Sequence, residues 1–277
     1  MEKTLKLVCT IVLSIICTSN LIAQSTEWYF GISVGTDWMD TVKQAGFNND
    51  RVCYPTFVCP QEPRGYRWYY DLDTSTRYGI ELSIGKSIRK YRLETAFTLA
   101  SNDTLQIYDR ITFLDGSPLL LNENSEYSSV VESTIGGISF TGLMVNSYRD
   151  FQFANNLPLT SYIGIGVGVA RAEIEELLFR SDYACISDQC DGPPASNFNV
   201  LQKTDLVDWV WAINVMVGID YQINSRMSVG LKIAHRVRDD LVQSASYQRH
   251  PFPDAMNTTT FSELSSWSMS LNLTFKR

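Results

Sequence analysis

Between Trp209 and Tyr221 the odd positions carry Trp209, Trp211, Ile213, Val215, Val217, Ile219 and Tyr221, and the even ones Val210, Ala212, Asn214, Met216, Gly218 and Asp220. A period of two sends alternate side chains to opposite faces of an extended chain, so the segment predicts a β-strand. At ~3.3 Å per residue and a tilt of ~45° the stretch projects to ~28 Å, close to the apolar band of a membrane barrel. Aromatic residues bracket its aliphatic middle, as an interfacial girdle would.

Seven further segments follow suit. Trp28, Phe30, Ile32 and Val34 alternate with Tyr29, Gly31, Ser33 and Gly35, and Tyr78, Ile80, Leu82 and Ile84 with Gly79, Glu81, Ser83 and Gly85. Tyr91, Leu93, Thr95, Phe97 and Leu99 oppose Arg92, Glu94, Ala96 and Thr98. Ile163, Ile165, Val167 and Val169 oppose Tyr162, Gly164, Gly166 and Gly168. Met227, Val229, Leu231 and Ile233 oppose Ser228, Gly230, Lys232 and Ala234. Trp267, Met269, Leu271, Leu273 and Phe275 oppose Ser266, Ser268, Ser270, Asn272 and Thr274. In Glu132 to Phe153 the parity changes, with Ile138 and Phe140 on one face and Leu143 and Val145 on the other. A bulge near Gly142 reconciles the halves.

The connections alternate in length. Strands two, four and six end in brief turns, Lys86 to Lys90, Ala154 to Pro158 and Asn224-Ser225. Strands one, three, five and seven end in long segments, Trp38 to Ser75, Ser101 to Val131, Glu173 to Asp205 and Arg238 to Ser265. That is the plan of an all-β, eight-stranded antiparallel up-and-down transmembrane barrel with short periplasmic turns and long extracellular loops. A ten-stranded barrel needs another hairpin, for which Gln106 to Phe113 is the candidate; we read it as extending a hairpin above the membrane. A soluble lipocalin-like barrel also has eight strands, but it turns apolar residues inward and needs a charged exterior. Here the opposite face is Gly, Ser, Ala and Asn, which suits a narrow lumen.

Composition agrees. Aromatic residues make up 12% of the chain and charged ones only 19%, and beyond residue 22 nothing resembles a spanning helix. A formal charge of −7 argues against nucleic acid as a partner. Lys3 and Lys6 precede the apolar run Leu7 to Cys17, and Ala23 offers a small residue for cleavage, so residues 1–23 read as a signal peptide and 24–277 as the barrel domain. Cleavage removes Glu2, Lys3 and Lys6 and takes the charge to −8. Ile16 stands where a lipid-attachment site at Cys17 needs a small residue. Cys9 and Cys17 leave with the signal, and an even set remains. Cys53 with Cys59 and Cys185 with Cys190 are expected as disulfides, since neither pair has the two-residue spacing of a zinc knuckle and exported thiols oxidise.

Residues 143–170 carry a family signature: Leu143-Met144-Val145-Asn146-Ser147-Tyr148-Arg149-Asp150-Phe151, then Pro158 to Ala170 with Tyr162-Ile163-Gly164-Ile165-Gly166-Val167-Gly168. This resembles the opacity-protein and surface-antigen barrels of the OmpA-like group, which pair a Met/Asn/Tyr/Asp strand with a Tyr-x-Gly-x-Gly-x-Gly strand around a Pro-containing turn. The resemblance implies an eight-stranded barrel in the outer membrane of a diderm bacterium and a role between structural protein, adhesin and small porin. Two departures are expected to matter. The chain ends at its last strand without a peptidoglycan-binding domain, and Lys276-Arg277 follow Phe275, the expected signal to the assembly machinery.

Three classes of function compete. The inward parity holds Glu81, Arg92, Glu94, Asp220, Lys232 and Arg236. In a narrow dry lumen these must pair, as a salt-bridge plug or as a gated ion path. An enzyme needs a base near neutral pH. Of the two histidines, His235 is expected at the membrane interface, and His250 lies in a loop with no Ser or Asp partner that spacing identifies; we expect no enzyme, no cofactor and no metal. Recognition through the long segments is the third class. Trp68, Tyr69 and Tyr70, beside Arg64 and Arg67, are either loop anchors for an extracellular or host ligand or an outer girdle. Asp182, Asp188, Asp191 and Asp208 lack the regular spacing of a calcium loop and read as solvated acidic surface. The expected partners are therefore membrane lipids and something met by the loops. A thiol assay on exported, denatured protein is expected to find no free sulfhydryl.

Overall fold

The computed structural model describes residues 27–59, 65–152, 158–187 and 190–277. The expected signal peptide with Cys9 and Cys17, Arg64, Asp188 and most of the Ala154 to Pro158 turn lie outside these residues. In chain order the strands are β1 (Glu27–Met39), β2 (Val42–Asn48), β3 (Phe57–Val58), β4 (Tyr66–Thr74) and β5 (Arg77–Ile88). Then come β6 (Tyr91–Phe113), β7 (Leu120–Leu121), β8 (Tyr127–Thr134), β9 (Gly137–Gln152) and β10 (Leu159–Cys185). The last are β11 (Val200–Asn224), β12 (Met227–Arg238), β13 (Leu241–Ser246), β14 (Met256–Ser262) and β15 (Ser265–Lys276).

Eight of them close a ring, β1-β5-β6-β9-β10-β11-β12-β15, every pair antiparallel. The β1–β15 pair, Tyr29 opposite Lys276 through Met39 opposite Ser266, closes it. Exposed aliphatic residues cover the outside, among them Val34, Ile84, Leu143, Ile163, Ile165, Val215, Val217 and Leu271. Trp28, Tyr91, Phe151, Tyr221 and Phe275 ring this belt at the turn end, and Tyr78, Trp209, Trp211 and Trp267 at the other. A continuous apolar band between two aromatic rings has no place in water, and it is the surface of a transmembrane barrel.

Above the belt the strands do not give way to loops. β6, β10 and β11 run on unbroken, and β1 continues after Asp40-Thr41 as β2. In the same way β4 leads down into β5, β8 into β9, β12 up into β13, and β14 down into β15. The continuations pair in the order of the ring below, β13-β14-β2-β4-β6 on one side and β8-β10-β11 on the other. The long segments expected as loops are thus largely sheet, and Gln106 to Phe113 is the upper part of β6 rather than a separate hairpin.

Parity in Glu132 to Phe153 also has another cause than a bulge. Register across Gly142 is unbroken, to Ala170 on one side and Thr98 on the other. Ile138 and Phe140 face inward like Met144 and Asn146, and Leu143 and Val145 face lipid. The apolar set changes face because the lumen turns apolar at that height, while water replaces lipid outside. The break in this chain falls earlier, at Ile135-Gly136 between β8 and β9.

Val215 lies near mid-belt on β11, so Val215→Arg is expected to destabilise the refolded barrel by ~2–4 kcal/mol, read from urea unfolding in lipid vesicles.

Candidate functional site

The lumen within the belt is filled. At the turn end Arg92 spans Asp150, 2.9 Å away, and Asp220, 3.1 Å away, with its guanidinium over the Tyr148 and Tyr162 rings. Glu94 accepts hydrogen bonds from the Tyr148 hydroxyl at 2.8 Å, Asn146 Nδ2 at 3.1 Å and the Tyr29 hydroxyl at 3.2 Å. Higher up, Lys232 Nζ donates to Glu81, and Arg236 Nε to Asn214 Oδ1 at 2.8 Å. Glycines make room for the tyrosines: a Cβ on Gly218 would fall 2.3 Å from the Tyr162 ring, and one on Gly164 2.4 Å from that of Tyr148. Unpaired charge in so confined a space would cost several kcal/mol per ion, so Arg92 and Lys232 sit beside carboxylates, while Glu94 and Arg236 are held by hydrogen bonds with neutral side chains.

Near the outer rim the contents change. Arg238 donates to Ser266 Oγ at 3.1 Å and lies over the Phe140 ring, its carbon 3.9 Å from the centroid. Above it Val42, Leu72, Ile138, Phe140, Ile174, Leu206, Leu241, Phe261 and Leu264 form a buried cluster. This apolar layer closes the lumen from the outside.

Over the layer the continued strands enclose a cavity of about 590 Å³. Tyr66, Trp68 and Tyr70 of β4 reach it by the alternation of that strand, and Phe179 and Tyr183 come from β10. Tyr54 stacks on Tyr183 with centroids 5.6 Å apart. Amides meet at the wall, Gln106 Nε2 donating to Gln44 Oε1 at 2.5 Å and Asn257 Nδ2 to Gln202. Besides tyrosines the ionisable lining residues are Asp50 and His250, 1% and 3% exposed at the side chain, with Nε2 3.4 Å from Oδ2. The Tyr54 hydroxyl donates to Asp50 Oδ2 at 2.7 Å and lies 3.3 Å from His250 Nε2. Phe252 N–H donates to His250 Nδ1 at 3.0 Å, and Nε2 faces Asp50. Burial pushes the Tyr54, Tyr66 and Tyr247 hydroxyls up from the ordinary tyrosine value, and the Asp50 carboxylate adds to the effect.

Several sequence candidates are gathered by this geometry. Glu81, Arg92, Glu94, Asp220 and Lys232 sit in the lumen. Trp68 and Tyr70 face the cavity, whereas Tyr69 points outward under the Arg110 guanidinium, 4.2 Å from its ring. Cys53–Cys59 and Cys185–Cys190 are disulfides among the strand-linking tips. His235 packs at a tilt against Trp267 at the outer girdle, 4.5 Å between centroids. Asp182, Asp191 and Asp208 are held apart, by Arg180, by the Glu126 side chain and by the Val242 N–H. His250 does have an acidic partner; spacing could not reveal Asp50, because two hundred positions of chain separate them. The cavity itself was missed, although Val42, Gln44, Gly46 and Asn48, and Tyr66, Trp68, Tyr70 and Leu72, repeat the period of two in segments read as loop.

No protein-family model and no curated protein sequence matches the chain. Among solved structures it is similar to Neisserial surface protein A, at 9% identity and a TM-score of 0.41, covering 92% of this chain and 100% of that one. It is similar to the outer membrane protein OprG from Pseudomonas aeruginosa at 11% identity and a TM-score of 0.46, covering 92% and 97%. Against the outer membrane protease OmpT from Escherichia coli the identity is 9%, the TM-score 0.39 and the coverage 92% and 99%. At these identities the likeness is one of fold.

Lys232→Met leaves Glu81 without its cation and is expected to cost ~3–5 kcal/mol in urea unfolding, most of it recovered by adding Glu81→Gln. The cavity tyrosines Tyr54, Tyr66 and Tyr247 bind their protons more tightly folded than unfolded, so the stability they contribute is complete below about pH 10 and is lost as pH rises beyond it. The urea midpoint is expected to fall across that range, and less steeply in Tyr54→Phe.

Proposed function

We propose that the chain is an integral outer-membrane protein that works on the outside of the cell, its barrel an anchor in lipid and its β-built cup the recognition element. The observation that carries this reading is the contrast along one barrel axis. The membrane lumen is packed with ion pairs and capped by the Phe140 and Phe261 layer, while the same strands above it hold open an aromatic cavity. Recognition concentrates where a rigid frame presents irregular tips and aromatic anchors. In this reading the lipids of the outer membrane contact the belt, an extracellular or host molecule meets the cup, and the β15 strand, through Phe275, addresses the assembly machinery. The signal peptide of residues 1–23 directs export.

A small gated channel is the reading this displaces, because opening a path would require parting Lys232 from Glu81 and Arg92 from two carboxylates as well as breaking the apolar layer. A hydrolase is disfavoured by the posture of His250: Phe252 and Asp50 hold its two ring nitrogens, which fits a latch between tips better than a free base.

Planar-bilayer recordings are expected to stay silent for the native protein and for Lys232→Met; current steps altered by that substitution would instead establish the channel. Trypsin added to intact cells is expected to cut at the tips after the exposed Arg51 or Arg249, and to reach Arg89, Lys90 and Arg226 only once the membrane is opened.

A further inference from the structure

The cup has one weak wall. On one side of the gap between its two sheets β11 is stitched to β13 and the segment after it: Gln202 Nε2 donates to the Ala245 carbonyl at 3.3 Å, Gln248 Nε2 to the Lys203 carbonyl at 2.6 Å, and Lys203 N–H to Gln248 Oε1 at 2.8 Å. On the other side β8 pairs only with β10 among the described residues, and its links to β6 lie at the base. There Ser133 Oγ donates to Gln106 Oε1 at 2.7 Å, and Thr104 Oγ1 to the Ile135 carbonyl at 3.4 Å. Above these links Tyr108 of β6 and Val131 of β8 line the cavity, yet they are 56% and 58% exposed. Leu121, on the short β3–β7 strand pair, lines it too and is 71% exposed. A residue that is both lining and exposed marks a mouth. Leu105, Ile107 and Val130 around it are exposed and apolar.

We infer that the cup is a binding site for one uncharged, ring-bearing apolar molecule, admitted through the seam between β6 and β8. The size fits, since small-molecule pockets span ~300–1,000 Å³. The walls fit as well. Tyr54, Tyr66, Trp68, Tyr70, Phe179 and Tyr183 offer faces and edges for offset or edge-on contact with another ring. Charge decides against an ion: the lining holds no lysine or arginine, and its one carboxylate, Asp50, is buried and already engaged by the Tyr54 hydroxyl and by His250 Nε2, so a charged ligand would shed its water and gain no free counter-ion. The wall amides suit a single hydroxyl or carbonyl on the guest. A side-chain set serving the fold alone packs to the density of an organic crystal, and this volume of space amid rings does not.

This inference rests on the reading of a closed barrel with a working cup, and the experiment separates the two. Mature protein in lipid nanodiscs is dialysed against 2-naphthol, with empty nanodiscs subtracting the share dissolved in lipid, and in parallel against naphthalene-2-sulfonate, the same ring with a fixed charge. Saturable binding of one naphthol per barrel is expected, with at least tenfold weaker binding of the sulfonate. Ser181→Phe, which fills the cavity from β10, is expected to lower naphthol affinity at least tenfold. Val131→Trp, at the exposed mouth where folding is not at stake, is expected to slow association. Repeating the titration in amphipol, without a bilayer, tells the sources apart: unchanged association kinetics assign supply from water, and slower loading assigns supply from the outer leaflet, the site standing either way. Naphthol uptake no greater than in empty nanodiscs, equal binding of the sulfonate, or full binding by folded Ser181→Phe would overturn the inference. The same protein in vesicles is assayed for ion leak; a leak defeats the closed-barrel reading, whereas tight vesicles with no naphthol site defeat the inference alone.

Discussion

Closure of the ladder between β1 and β15 is the constraint from which the rest follows. Lipid offers a backbone N–H no partner, so a sheet enters the bilayer only as a ring without edges. Eight strands make that ring narrow. A narrow ring admits Tyr148 and Tyr162 only where Gly164 and Gly218 leave room against the wall, and it admits Arg92 or Lys232 only with carboxylates within reach. The fold therefore fills its lumen by satisfying its own chemistry.

A ring that must close in lipid has no such obligation in water, and there the chain uses its freedom. Five of the eight ring strands are interrupted between belt and cup, three run straight on, and the two gaps this leaves are treated differently, one stitched by Gln248 and one held only at its base by Ser133 and Gln106. The environment on the outside reverses at the same height. Leu143 and Val145 face outward where the outside is lipid, and Ile138 and Phe140 face inward where it is water, although all four lie on one continuous strand. The hydrophobic effect sets which face is apolar, and the alternation merely offers the choice. The outcome is a three-storey interior of ionic filling, apolar cap and aromatic cavity along a single axis.

The period of two determined the class of fold, the eight strands, their order and the inward set Glu81, Arg92, Glu94, Asp220 and Lys232, because strand parity is a local property and survives in one dimension. The disulfide partners Cys53–Cys59 and Cys185–Cys190 were legible for the same reason, being neighbours along the chain. What lay above the membrane was decided only by the tertiary structure. Asp50 meets His250, Gln44 meets Gln106 and Asn257 meets Gln202 across strands far apart in sequence, and a cavity belongs to no segment, only to the space that eight of them enclose.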